Sequence, residues 1–253
     1  MGLVIAGIML LVAGLGVLPL LAARSARRAR TFAEVPQYDC AQVAEHGAEA
    51  PGMRIAVRGR TIAGSGGPLT APATGRPCAW YRLTISERHR RVERDKDGNR
   101  RTREEERVVS DERSPDPIAL ADSTGTVVID PEGARMDRTV ETHNRVERPS
   151  AGGGSSITFA GVTVDLSGGD SLIGIRTKEE ILPLDDDVYV LGGAYAREGG
   201  GTIGRPRDGM FVVSTRSAED LAKGSRTAMR ALAAAAVVAA IAGVALLVAG
   251  IVA

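Results

Sequence analysis

The sequence predicts a mainly β soluble domain of the α+β class, flanked by two transmembrane α-helices. Charge-free apolar runs occupy both ends of the chain, β-favouring runs with Gly- and Pro-rich turns fill the middle, and one long arm is almost entirely charged. We therefore predict a transmembrane helix at 2–23, a β-rich soluble domain at 36–218 and a second transmembrane helix at 229–253. Many short strands joined by turns also favour an OB-like partial barrel with a long β-ribbon.

The first apolar run covers residues 2–23 without a charge, which is long enough to cross about 30 Å of hydrocarbon as a helix. A signal peptide is the alternative, but no basic segment precedes this run and four arginines follow it within residues 24–30. The second run covers residues 231–253 and follows Lys223, Arg226 and Arg230. Because both basic clusters lie toward the central domain, the positive-inside rule places residues 24–230 in the cytoplasm.

Small residues recur four apart in the second run. Ala236 and Ala240 form one such pair, and Ala239 and Gly243 form another. This spacing would let the two helices approach closely. It is also common by chance in Ala-rich spans, so a lipid-facing surface is the alternative.

The central domain begins with a predicted short helix at 38–46 and a strand at 54–63, where apolar and polar residues alternate. A Gly/Pro-rich turn then leads to a second strand at 78–87, which carries the only tryptophan of the chain, Trp80. Alternation directs Tyr81, Leu83 and Ile85 toward the core and Trp80 toward the opposite face.

Residues 88–112 form the charged arm. Asp97-Gly98-Asn99 near its middle predicts a two-stranded ribbon that folds back at Gly98. Acidic residues interleave with the arginines, and the net charge of the chain is only +1, so we expect no nucleic-acid partner. We predict a solvated ribbon stabilised by cross-strand ion pairs, with a partner-docking arm as the alternative.

The remaining elements are read from turns and periodicity. We predict a hairpin of 118–122 with 126–129, a polar insertion or mobile loop at 136–156, and a strand or extended segment at 157–166. A helical turn at 178–182 ends at Pro183, and strands at 188–197 and 210–214 flank a glycine-rich loop. Ser217 and Asp220 predict a capping box at the start of a final helix.

Cysteine and histidine are scarce in this chain, which has Cys40, Cys78 and three histidines. A structural zinc ion takes four such ligands, and a RING finger binds two zinc ions, so these residues are too few for a RING. We interpret the cysteines as small buried thiols; a disulfide is the alternative and would need an oxidising compartment. His89 and His143 fall in charged segments that we expect to be solvent-exposed.

No motif for catalysis or cofactor binding stands out. The glycines at 192–193 and 199–204 lack the following Lys-Ser/Thr of a phosphate loop, so they predict a hairpin connection. Residues 185–187 are three successive aspartates, which more often make a solvated turn than a cation site. No Gly-x-Ser-x-Gly elbow is present. We therefore expect no catalytic residue, no cofactor and no metal.

Several segments share an order along the chain that matches a known family. They are the apolar amino-terminal run, Ile55-Ala56-Val57-Arg58-Gly59, Cys78-Ala79-Trp80-Tyr81-Arg82-Leu83-Thr84, Pro117-Ile118-Ala119-Leu120-Ala121-Asp122, Gly174-Ile175-Arg176-Thr177-Lys178-Glu179-Glu180-Ile181-Leu182, Val190-Leu191-Gly192-Gly193 and the stretch 211–221. Together they resemble the GIDE/MULAN family of membrane-embedded E3 ubiquitin ligases and its short prokaryotic relatives. In that family a carboxy-terminal RING carries catalysis, so the resemblance implies a binding and regulatory role for the domain between the spans. It also implies an intermembrane-space domain in the full-length ligases, whereas the charges here predict the cytoplasm.

These observations predict a membrane-anchored, GIDE-like binding or scaffolding module that recognises a protein near the membrane. The predicted contact surface is the ribbon and its junction with the domain, formed by Trp80, Arg88, Arg90, Arg91, Arg94, Arg101 and Arg103. One alternative is an E3 ubiquitin-protein transferase family member that works in ubiquitin-like conjugation with a RING supplied by another chain. A second alternative is a structural membrane protein that forms homo-oligomers. In each case the lipid bilayer is a partner, and the plasma membrane of a prokaryote is the predicted location.

Overall fold

The structure is a computed structural model that describes residues 2–94, 100–148, 156–166 and 171–252. The chain divides into two compact units. A terminal unit comprises Met1–Pro36 and Arg216–Ala253, and a central unit comprises Gln37–Thr215. The helices in the described residues are α1 (Gly2–Val12), which continues through a π-helical segment (Ala13–Val17) into α2 (Leu18–Glu34), then α3 (Gln42–Glu49) and α4 (Ala218–Val252).

The terminal unit contains two helical segments that are long and apolar enough to cross a membrane. Gly2–Glu34 and Ala218–Ile251 each include an 18-residue stretch with a mean hydropathy of 2.6 and 2.7, respectively. The two candidate spans predicted from the sequence are therefore present as helices. The capping box is also confirmed, because Ser217 Oγ accepts a hydrogen bond from the Asp220 N–H at 3.1 Å and donates one to Asp220 Oδ2 at 2.8 Å.

Small residues lie where the two long helical segments of this unit touch. A Cβ atom added to Gly14 would lie 2.7 Å from Ala240 N and 2.8 Å from Ala236 O, and one added to Gly7 would lie 2.9 Å from Gly243 O. No side chain fits at such distances, so the two backbones are in direct contact. The close approach predicted from the spacing of small residues is confirmed.

The central unit is built mainly from strands. In chain order the described strands are β1 (Gln37–Tyr38), β2 (Met53–Ile62), β3 (Leu69–Thr70), β4 (Pro77–Cys78), β5 (Trp80–Arg94), β6 (Arg100–Arg113), β7 (Ile118–Ala121), β8 (Thr126–Ile129), β9 (Arg135–Asp137), β10 (Val140–Glu147), β11 (Ser156–Phe159), β12 (Val162–Asp165), β13 (Leu172–Leu182), β14 (Asp187–Arg197), β15 (Gly200–Gly204) and β16 (Val212–Ser214).

Five of these strands close into a barrel. β2, β7, β8, β15 and β14 pair in this order, and β14 pairs back with β2. All of these pairings are antiparallel except that of β8 with β15, which is parallel. The sequence predicts a partial, OB-like barrel; the barrel in the structure has five strands and its ring of pairings is complete.

The barrel interior is filled by aliphatic side chains that alternate along its strands. Its buried members include Ile55, Val57, Ile118, Leu120, Val127, Ile129, Val188, Val190 and Ile203. α3 packs on β14 and β15, and Val43 on this helix is fully buried. α3 begins later than the predicted helix, since residues 37–38 form β1 alongside β2.

A second, antiparallel sheet has the order β10-β13-β5-β6. It corrects two predictions. Residues 178–182 belong to β13, so the predicted helical turn is wrong: buried Thr177, Glu179 and Ile181 alternate with more exposed neighbours, a period of two that the charged residues disguise. The predicted loop at 136–156 is wrong for residues 140–147, which form β10 and pair with β13; residues 149–155 lie outside the described residues.

Two smaller corrections concern turns. The segment predicted as one strand at 157–166 is a hairpin of β11 and β12, with Ala160 and Gly161 at φ of 51° and 84°, as a two-residue hairpin turn requires. The predicted glycine-rich loop after β14 contains β15, the strand that joins β14 to β8 in the barrel. The hairpin of β7 and β8 is confirmed.

Candidate interaction surface

The charged arm is a two-stranded ribbon, as predicted. β5 and β6 pair from Arg82 opposite Arg113 to Arg94 opposite Arg100. The turn predicted at Gly98 lies outside the described residues. On its other side β5 pairs with β13 only as far as His89 opposite Leu172. Beyond His89, β6 is the only strand partner of β5 in the described part of the chain. The described ribbon residues past His89 therefore form a two-stranded extension of the sheet.

Cross-strand ion pairs run along the ribbon and confirm that prediction. Arg88 Nη2 lies 2.7 Å from Glu104 Oε2, and Arg91 Nε lies 3.4 Å from Glu105 Oε2. At the base, Arg82 Nε and Nη2 donate to Asp111 at 2.6 and 3.1 Å. Pairs of this kind at a surface contribute about 0–1 kcal/mol each, so each adds little to the stability of the ribbon.

The basal pair also shifts the ionisation of its members. Burial raises the pKa of Asp111, but hydrogen bonds from Arg82 and Arg113 outweigh burial, and the resulting pKa lies below its ordinary value. The hydrogen bond to Asp111 raises the pKa of Arg82. Both groups are therefore charged throughout the physiological range.

Charge is unevenly distributed between the outer and inner ribbon. Residues 90–94 and 100–103, which we call the outer ribbon, contain six basic residues and one acidic residue, whereas residues 104–112 contain one basic and five acidic residues. Glu104 and Glu105 already pair with Arg88, Arg90 and Arg91. The outer ribbon therefore keeps a net positive charge.

The structure buries some of the predicted contact residues and exposes others. Trp80 is only 3% exposed and belongs to the core cluster of the barrel, so it packs inside the domain and not on the surface of the ribbon. Both faces of β5 are covered at its start, which alternation along the sequence does not reveal. Arg88 is half-buried beside Glu104. The exposed members are Arg90, Arg91, Arg101 and Arg103, while the side chain of Arg94 lies outside the description.

A buried carboxylate that sequence analysis missed holds the base of the sheet together. Glu179 is fully buried; its Oε2 accepts a hydrogen bond from the Ala73 N–H at 2.6 Å, and its Oε1 accepts from Thr74 and Thr142 hydroxyls at 2.6 Å each. Burial raises the pKa of Glu179, but these hydrogen bonds outweigh it and the pKa is lowered. The alternation of Thr177, Glu179 and Ile181 is the signal that could have identified it.

A second buried carboxylate lies where the ribbon leaves the sheet. Glu87 is fully buried, and its Oε2 lies 2.9 Å from His89 Nε2, while His89 Nδ1 lies 3.2 Å from Ser171 Oγ. The side chain of His89 is only 15% exposed, so its predicted solvent exposure is wrong. His143 is half-buried as well, with Nε2 at 2.9 Å from Thr177 Oγ1. These contacts fix the path of the ribbon's base.

A cleft of about 620 Å³ lies beside the barrel between the 64–69 loop, β7 and β8, with Cys78, Ala119 and Val128 among its lining residues.

Both cysteines are buried and free, as predicted. Burial, together with the charge of Glu179, raises the pKa of Cys78 to about 11. Burial and a hydrogen bond with Asp122 raise the pKa of Cys40 to about 12. Neither thiol is a nucleophile at neutral pH.

The glycine-rich and aspartate-rich segments are structural. β14 and β15 form a hairpin from Arg197 opposite Gly200, which confirms the predicted hairpin connection. Asp185 N–H donates to Thr61 O at 2.8 Å, so the predicted turn forms at Asp185, whereas Asp187 begins β14. Within the described ranges, no group of three or more His, Cys, Asp and Glu side chains is arranged to hold a metal ion.

The fold and its surface define a class: an OB-type barrel with an appended charged ribbon and two helices that can cross a membrane. Sequence comparison assigns the family, because the family model for GIDE, described as E3 ubiquitin ligase, matches residues 86–249. The chain belongs to the GIDE family, which confirms the predicted resemblance. Searches of curated proteins and of solved structures found no match.

Proposed function

We propose that this GIDE-family chain is a membrane-anchored binding module that recognises an acidic protein surface near the membrane through its outer ribbon. The observation that carries the proposal is the excess of exposed arginine on a ribbon that extends beyond its sheet. Arginine is enriched at protein interfaces because its planar guanidinium binds carboxylates in a bidentate geometry. The partner surface is therefore expected to carry Asp and Glu.

Exposed apolar residues on the ribbon support a protein partner over a purely solvated role. Val92 is 58% exposed and Val108 is 56% exposed. Val92 lies two residues from Arg90 on β5, and Val108 lies four residues from Glu104, the residue of β6 that pairs with Arg90. Because side chains alternate between the two faces of a strand, Val92, Val108 and Arg90 lie on the same face. Apolar contacts surrounded by charged groups are the usual composition of a protein interface.

We propose the cytoplasm for the central unit, and the plasma membrane of a prokaryote for the chain. The basic residues next to both apolar spans support this orientation through the positive-inside rule. The proposed domain limits are a transmembrane helix at 2–23, a soluble domain at 36–218 and a transmembrane helix at 229–253.

Site-specific photo-crosslinking of the full chain in its native membrane tests the proposed surface. A photoreactive residue at Val92 should capture one dominant protein, whereas the same residue at Val140, exposed on the far edge strand β10, should not. The double variant Arg90→Glu, Arg100→Glu, on the same face as Val92, should abolish the Val92 product. The matched control Arg145→Glu, Arg148→Glu, also exposed but outside the ribbon, should leave it intact.

Three results would contradict the proposal. If Val92 captures only lipid, the ribbon does not contact a protein. If it captures only a second copy of the chain, the surface serves a structural oligomer. If the Arg90 and Arg100 charge reversals leave the protein product unchanged, the outer ribbon does not recognise the partner by charge.

A second function follows from the description of the family as an E3 ubiquitin ligase. Five Cys and His residues in these 253 residues cannot supply the zinc ligands of a RING. In this alternative the chain takes part in ubiquitin-like conjugation with a RING from another chain. The identity of the captured protein decides between the two functions. A partner that has neither the zinc ligands of a RING nor the fold of a conjugating enzyme removes the alternative.

A further inference from the structure

Six arginines of the terminal unit lie immediately outside the apolar spans. They are Arg24, Arg27, Arg28, Arg30, Arg226 and Arg230, which we call the arginine collar, and all six are exposed. The adjoining stretches 2–23 and 231–252 contain no charged residue. With the spans in a bilayer, the collar lies where the hydrocarbon ends and the lipid phosphates begin.

Helix register brings the two halves of the collar to the same level. Gly7 contacts Gly243 and Leu247, and Gly14 contacts Ala236 and Ala240. A step of seven residues forward along the first segment, from Gly7 to Gly14, therefore matches a step of seven residues backward along α4, from Gly243 to Ala236. α2 and α4 remain packed together, so ten residues beyond Gly14 the same register places Arg24 level with Arg226 and Arg230.

The collar differs from the ribbon in having no internal counter-charge. Arg88, Arg90 and Arg91 of the ribbon pair with Glu104 or Glu105. Among the described residues, no collar arginine has a carboxylate within ion-pair distance; the adjacent Lys223 does, at 3.9 Å from Glu219. Within the described residues, the collar is therefore a cluster of uncompensated positive charge.

Helix spacing adds repulsion within the collar. Arg24 and Arg28 lie four residues apart on one helix, as do Arg226 and Arg230 on the other. Like charges at this spacing face each other and destabilise a helix. An anion at the membrane surface that approaches either pair would relieve its repulsion.

We propose that the arginine collar binds the headgroups of anionic phospholipids in preference to zwitterionic ones. Guanidinium groups bind phosphate oxygens in a bidentate geometry. Their aliphatic stems can lie along the lipid chains while the charge reaches the interface. This site is independent of the ribbon and of the proposed protein partner.

Native mass spectrometry of the full chain, released from detergent with either phosphatidylglycerol or phosphatidylcholine, tests the proposal. The wild-type chain should retain phosphatidylglycerol in preference to phosphatidylcholine. The triple variant Arg24→Gln, Arg226→Gln, Arg230→Gln should weaken phosphatidylglycerol binding by about tenfold or more. A ribbon triple, Arg90→Gln, Arg101→Gln, Arg103→Gln, removes the same charge and should bind like wild type.

Lysine at the same three collar positions keeps the charge and should retain most of the binding. If the lysine variant binds as weakly as the glutamine variant, loss of charge is not the cause and the proposal fails. It also fails if the ribbon triple loses binding equally, since the effect would then follow net charge alone. Displacement of the lipid by millimolar inorganic phosphate would overturn it in favour of a soluble phosphate site.

Discussion

Glu179 shows how a single charged side chain can organise an element. Its carboxylate joins the 71–75 loop and β10 to β13 through three hydrogen bonds of 2.6 Å. We expect Glu179→Gln to lower the free energy of unfolding by about 1–3 kcal/mol, because the amide nitrogen is a donor facing other donors. Denaturant unfolding of the central unit within the full chain measures this. Glu112→Gln, at an exposed position of β6, is the matched control and should change stability little.

The same carboxylate predicts a pH dependence. Its folded pKa lies below the ordinary value of 4.5, so the unfolded state binds the proton more readily. The stabilisation is fully present above pH 4.5 and is lost as the pH falls through the folded pKa. The stability difference between wild type and Glu179→Gln should therefore shrink below pH 4.5. A difference that grows as the pH falls below 4.5 would show that Glu179 stays protonated in the folded protein, and a constant difference would show that folding leaves its pKa unchanged.

Because both cysteines are buried, we predict that their thiols react slowly with alkylating reagents. Cys40 and Cys78 are 2% and 0% exposed, and burial raises their pKa values to about 12 and 11. Iodoacetamide at neutral pH should therefore leave both unmodified in the folded chain and modify both in denaturant, as measured by intact mass. Rapid modification of either thiol in the folded chain would contradict the packing described for it.

At the scale of elements, glycine in β15 permits a close approach that a larger residue would block. A Cβ atom on Gly201 would lie 2.9 Å from Ala44 N and 2.9 Å from Val43 Cβ, on α3. We expect Gly201→Ala to destabilise the chain by about 1–3 kcal/mol. Gly66→Ala is the control, since no atom lies within 4 Å of its Cβ position. Thermal unfolding compares the two, and equal midpoints would contradict the packing of α3 on β15.

Elements whose periodicity is carried by apolar residues could be predicted from the sequence, and others could not. β2 alternates apolar and polar residues, and β7 and β8 are short apolar runs on either side of a turn, so the sequence predicts all three strands. In β13 a buried position is occupied by Glu179, whose burial depends on hydrogen bonds from residues 71–75 and β10 that no local pattern reveals. β15 is a run of small residues whose strand pairing comes from its neighbours.

At the scale of the whole molecule, the barrel was predicted as a type, but its closure was not. Closure depends on pairing between β2 and β14 and between β8 and β15, which lie far apart in sequence. The candidate site divides in the same way. The exposed arginines of the ribbon follow from a local charge pattern, whereas the burial of Trp80 depends on elements that cover it from distant parts of the chain.

Orientation in the membrane is the last property that charge predicts. Because native thiols are unreactive in the folded chain, a single introduced cysteine can report its own location. Arg145→Cys, on the exposed face of β10, should react with a membrane-impermeant maleimide only after the cells are permeabilised. Gly2→Cys, at the start of the first apolar run, should react in intact cells, because the positive-inside rule places that end outside. The reverse pattern would place the central unit outside the cell, and absence of the Gly2→Cys label from the mature chain would show that the first apolar run is removed as a signal peptide.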